Sequence, residues 1–149
     1  MDHAVVLVAS WGGAALHAAE HELAAHWRRV EERRASLERV ARDRGHVWSA
    51  DDVSVVATFA DPLDALLVAC AAEGHPGVGI ARGPAVPGSA FGPALERARR
   101  MAMLGGRGVL VAQELMGALE LPLGLGSFRV GEAMEELVGH PTVAVRDYR

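Results

Sequence analysis

Apolar residues fall in short clusters separated by polar or glycine-rich punctuation, and the spacing inside each cluster predicts its element. Val5 to Ala9 is a run of aliphatic and β-branched residues closed by Gly12-Gly13, which suits a fully buried strand. From Ala14 to about Arg44, Leu16, Leu23, Trp27, Val30, Leu37 and Val40 recur at helical steps, which predicts one long helix. Its run Arg28, Arg29, Glu31, Glu32, Arg33 and Arg34 reads as a solvated face, and Gly45 stops it. His46 to Phe59 reads as two strands, Val47-Trp48 and Val53-Val55-Val56, with Asp51-Asp52 as the turn. Asp61-Pro62 starts a second helix through Ala72, because an Asp cap satisfies orphan amides and Pro fits the first helical position. A strand at Val78 to Ala81, a helix from about Pro93 to Leu104 and a strand at Gly108 to Ala112 follow. A short helix at Gln113 to Leu119 and strands near Ser127 to Val130 and Thr142 to Val145 complete the series. The order β-α-β-β-α-β with additions predicts a split βαβ sandwich, its helices covering one face of the sheet.

Composition narrows what such a sandwich does. Half of the 149 residues are apolar, enough for one sizeable core, so residues 1–149 are expected to form a single domain without repeat or linker. Fifteen arginines, with no lysine, stand against 19 acidic residues for a formal charge of -4, which argues against a general nucleic-acid binder. The one cysteine, Cys70, lies inside the apolar run Ala65 to Ala72, so it reads as a buried thiol in a reducing compartment. Val5 to Ala9 is too short for a secretory core and no stretch reaches the length of a membrane span. The expected location is the cytoplasm, with neither nucleic acid nor membrane as partner.

The most informative stretch is Val78 to Arg100, VGIARGPAVPGSAFGPALERARR. Gly79-Ile80 with Gly83 is similar to the Gly-Ile-His-x-Gly strand of the class III nucleotide cyclase catalytic domain, and Phe91-Gly92 with Ala98 and Arg100 is similar to that family's Phe-Gly helix. Asp61-Pro62-Leu63-Asp64-Ala65 looks like the helix start after the family's catalytic hairpin, and Gly126-Ser127-Phe128-Arg129 like its late strand. The resemblance runs from Val5 to about Val145. It implies an α+β domain with the ferredoxin-like βαββαβ core of the class III cyclase type, a central mostly antiparallel sheet with helices packed on it.

Where the resemblance carries the fold, it does not carry the chemistry. Family members attack the α-phosphate with the ribose 3'-hydroxyl, assisted by two divalent metals between two aspartates, and hard cations of that kind need carboxylates. The first aspartate falls on Ser10 and the second on Val53; a one-residue shift in the hairpin would instead offer Asp52. The purine-reading lysine falls on Ser49 and its partner ahead of the Phe-Gly on Ser89. The ribose-orienting asparagine falls on Glu96, whose carboxylate would repel a triphosphate not neutralised by metal. Arg100 alone keeps the family's residue, a guanidinium suited to phosphate. The six positions Ser10, Ser49, Val53, Ser89, Glu96 and Arg100 thus form the expected vestigial nucleotide pocket, with no catalytic residue, metal or cofactor.

The expected function is that of an inactive cyclase-like domain working as a dimerising signalling or regulatory module, as a homodimer or paired with a related cyclase or signalling protein. A small-molecule or nucleotide sensor using the vestigial pocket is the alternative, and an active cyclase ranks behind both. His17-Ala18-Ala19-Glu20-His21 fits the H-x-x-E-H pattern of inverted zinc peptidases, with two histidines on one helical face, but no third ligand follows at a workable spacing. Gly77-x-Gly79 and Gly105-Gly106-x-Gly108 lack the Gly and Lys spacing of phosphate-cradling loops. Trp11, Trp27 and Trp48 read as core volume.

Overall fold

The computed structural model describes residues 3–11, 23–51, 53–74, 76–84, 92–104, 108–117, 119–122 and 124–147. In chain order these form β1 (His3–Ser10), α1 (Leu23–Arg44), β2 (His46–Ala50), β3 (Ser54–Phe59), α2 (Pro62–Ala71), β4 (Gly77–Pro84) and α3 (Gly92–Leu104). After them come β5 (Val109–Ala112), α4 (Gln113–Met116), β6 (Leu125–Arg129), α5 (Glu132–Val138) and β7 (Thr142–Asp147). Every predicted element that falls on described residues is present. The start of the long helix and its His17 to His21 motif lie outside them. α5 was not anticipated: it begins on Gly131 without a side-chain cap and closes on Gly139 in the left-handed region at φ 78°.

All seven strands join one sheet in the order β2-β3-β1-β4-β5-β7-β6. The first four give the split βαβ arrangement, with β1 antiparallel to both β3 and β4 and β2 antiparallel to β3. β4 and β5 are parallel, and β7 and β6 extend the sheet antiparallel. The alternation of side chains along β1 sorts the core into two layers. Val5, Leu7 and Ala9 face Val30 and Leu37 of α1 and Ala65, Leu66 and Val68 of α2, whereas Val6 and Val8 face Ala94, Ala98 and Met101 of α3 and Val138 of α5.

The helices therefore cover both faces, not one. From β3 to β4 and from β4 to β5 the chain steps across the sheet in the same direction between parallel strands, yet α2 and α3 lie on opposite faces. The two connections consequently have opposite hands, and the near-universal right-handed rule, applied to both, would have put α3 beside α1 and α2.

Close approach holds α3 down. A Cβ on Gly79 would lie 2.1 Å from the Ala98 carbonyl oxygen, and one on Gly83 would lie 2.6 Å from the Ala94 Cβ. Only glycine at these two positions lets the helix backbone sit this near the strand. The Asp61 cap is as expected, its carboxylate accepting from the Leu63 amide at 2.9 Å. Trp11 is core and its indole donates to the Glu73 carbonyl at 2.8 Å. Trp27 is partly buried against the same layer. Trp48 departs from the core reading: it is 52% exposed on the edge strand β2, edge-on to His46, and donates to Thr58 Oγ1 at 2.6 Å. Cys70 is partly rather than fully buried.

Candidate functional site

The strand ends and the hairpin turn set the site. β1 finishes at Ser10, directly opposite Ser54 on β3 and Gly77 on β4. Ser10 and Ser54 share the face of Val8 and Val56, the face over which α3 lies, by the two-residue period of strands. α3 covers β1 and β4 but stops short of the outer hairpin. A cavity of about 130 Å³ remains in the gap, lined by Val8, Ser10, Ser54, Val56, Arg99, Ala102 and Met103.

The hairpin next to it is tied by its own backbone. Asp51 Oδ1 accepts from the amides of Val53 at 2.9 Å and Ser54 at 2.8 Å, and the Val53 carbonyl accepts from the Trp11 amide at 2.8 Å. The Val53 amide first, with the Ser54 hydroxyl and amide and the charge of Arg34, holds the Asp51 carboxyl below its ordinary range against a smaller opposing effect of burial. This is a turn carboxylate, as its place in the sequence implied. Asp52 lies outside the described residues.

Of the described positions among the six assigned to a vestigial pocket, only Ser10 lines the cavity. Val53 packs against the layer under α1 and α2, on the other side of the sheet. The β2 backbone at Ser49 pairs with Val56 just past a bulge. Ser89 lies outside the described residues. Glu96 and Arg100, one turn apart on α3, are both exposed and pair with each other at 2.5 Å. Neither lines the cavity.

Sequence reasoning missed Ser54 and Arg99. Ser54 is visible only once the β1–β3 register is known, since the hairpin alignment pointed to Val53 one residue earlier. Arg99 was masked by Arg97 and Arg100 in the same run. Arg97 lies 3.2 Å from His140 Nδ1 and 3.9 Å from Glu114, away from the cavity.

Two divalent metals would need carboxylates here, and among the described residues that line the cavity there is none. The polar lining consists of two hydroxyls and a guanidinium. Among the described residues no cluster of three or more His, Cys, Asp or Glu is placed to hold a metal.

Compared as a structure, the chain aligns over 99% of its length with a bacterial light-regulated adenylyl cyclase, at 11% sequence identity and a TM-score of 0.60, covering 52% of that chain. A second structure of a bacterial light-regulated adenylyl cyclase gives a TM-score of 0.59 at 11% identity, with 99% of this chain and 53% of that one covered. The guanylyl cyclase Cya2 aligns over 97% of this chain and 90% of its own, at 11% identity and a TM-score of 0.53. The fold is that of a class III nucleotide cyclase domain. No family model and no curated protein matches the sequence. The chain spans about half the length of the light-regulated adenylyl cyclases it matches. At this identity the likeness carries the cyclase fold alone, so function has to come from the site. No helix among the described residues is long and apolar enough to cross a membrane.

Proposed function

We propose that this cyclase-fold domain is catalytically inactive and acts in the cytoplasm as a dimerising signalling or regulatory module. The observation that carries the reading is the lining of the cavity at the end of β1, where a cyclase of this class would be expected to hold its metals. Ser10, Ser54 and Arg99 replace the negative charge that two divalent cations require. A second support is the pairing of Arg100, the one residue kept from the family's phosphate contacts, with Glu96 at the position of the ribose-orienting asparagine. That ion pair neutralises the cation that a triphosphate would use.

The partner is a second copy of the chain or a related domain. Met103, 80% exposed at the mouth of the cavity, and Trp48, on the neighbouring edge strand, give that side an apolar surface for such a contact. Sedimentation velocity, run beside a cyclic-nucleotide assay with ATP and GTP in Mn²⁺ or Mg²⁺, tests both halves of the reading. A dimer that forms no product is expected. Metal-dependent cyclic product would refute the inactivity, and a monomer at every concentration would refute the homodimer.

The cavity itself favours a second reading, that the domain also senses a small ligand there.

A further inference from the structure

We propose that the cavity between α3 and the β2–β3 hairpin binds a small carboxylate with a short apolar body, and does so without metal. The reasoning starts from charge. Three arginines lie close together on α3, and two are already engaged: Arg97 with His140 and Glu114, Arg100 with Glu96. Arg99 makes no ion pair among the described residues, and it is the one that lines the cavity. Among the described residues the carboxylate nearest along the chain to the cavity wall, Asp51, is turned into the hairpin by two backbone amides and does not line the cavity. An unneutralised guanidinium attracts an anion and repels a cation.

Size and polarity then select the kind of anion. About 130 Å³ is well below the roughly 300–1,000 Å³ of pockets that enclose drug-sized ligands, so what a single chain encloses here is a small ligand. Four of the seven lining residues, Val8, Val56, Ala102 and Met103, are apolar. A bare, strongly hydrated phosphate would lose water against that wall without gaining partners. A carboxylate attached to a few methylenes places its charge on Arg99 near Ser10 and its stem against Val8, Val56 and Met103.

The test is calorimetric titration of the full chain with butyrate and, separately, with inorganic phosphate, each with and without EDTA. Saturable butyrate binding indifferent to EDTA is expected, with phosphate at least about tenfold weaker. Arg99→Gln is expected to weaken butyrate binding by about ten- to a hundredfold, the loss of charge-assisted hydrogen bonds. Arg99→Lys recovers part of it, and Arg42→Gln, at an exposed position on α1, leaves it unchanged. Thermal melting of each variant checks that it is folded; Arg99 is exposed, so no loss is expected. The proposal is overturned by absence of butyrate binding, by binding that Arg99→Gln does not weaken or that needs Mn²⁺, or by phosphate binding as tightly as butyrate. It rests on the reading that the metal centre is gone, and the two fail separately: cyclic product removes that reading, whereas loss of butyrate binding without product removes only this one.

Discussion

The two faces of the sheet are built differently. Among the described residues, nineteen buried apolar ones from five strands and three helices close around Trp11, Leu7, Leu37 and Leu66 under α1 and α2. Under α3 and α5, ten residues form the layer, and its helical side is mostly small: Ala94, Ala98 and Ala102 with Met101. The first face is held by side-chain volume and the second by backbone proximity at Gly79 and Gly83. A narrow helix seated on glycines covers only the strands directly beneath it, and the open margin beside β3 is where the cavity lies. The stabilising face and the candidate site are thus on opposite sides of the same strands.

Substitutions on each face sharpen this contrast. The largest effect is expected at Trp11, where Trp11→Ala empties the middle of the first layer and strands the Glu73 carbonyl, costing about 3–5 kcal/mol. Denaturant unfolding with an unchanged slope would report it, and a loss below about 1 kcal/mol would mean that the face collapses around the hole.

On the second face Gly79→Ala and Gly83→Ala each force α3 outward, at about 1–3 kcal/mol. They differ in their remedy. The methyl on Gly83 meets the Ala94 Cβ, so Ala94→Gly relieves it; the methyl on Gly79 meets the Ala98 carbonyl, so Ala98→Gly does not. Double-mutant cycles read that difference directly, and equal coupling in both pairs would contradict the backbone-contact account.

The smallest effect concerns the hairpin beside the cavity. Because the folded protein holds the Asp51 carboxyl below its ordinary value, the stability it contributes is fully present above that value. It is lost as the pH falls from about 4 through the lowered folded value. Asp51→Asn is expected to flatten that part of the acid dependence and to lower neutral-pH stability by the same small amount, since the residue is exposed. An unaltered acid profile would count against the turn carboxylate as its source.

Much of this architecture was legible in the residues. Periodicity and punctuation predicted β1 through α3, and the Asp61-Pro62 start proved a capped helix. Three of the markers that carried the cyclase resemblance, Gly79, Gly83 and Ala98, belong to the packing set, in which Gly79 lies under Ala98 and Gly83 under Ala94. That explains why fold was readable where chemistry was not, since helix seating constrains these four positions whatever the domain does. The side of the sheet that α3 takes was not readable, because burial periodicity marks a face of the helix without saying which face of the sheet receives it. α5 escaped because only Val138 of its seven residues is fully buried, too few for a pattern. Ser54 needed the strand register. Trp48 misled because an indole that donates to Thr58 and leans on His46 can stay half in solvent on an edge strand.

The place of β1 in the sheet has a consequence for biosynthesis. It is the first of the seven strands to be made, yet both its neighbours come later: β3 is complete only at Phe59 and β4 only at Pro84. On the ribosome, Val5 to Ala9 therefore wait as an apolar segment without a hydrogen-bonding partner while the arginine- and glutamate-rich α1 and the β2–β3 hairpin are still being synthesised. At about 5–20 residues per second that interval lasts several seconds, long enough for a nascent-chain chaperone to bind the exposed segment.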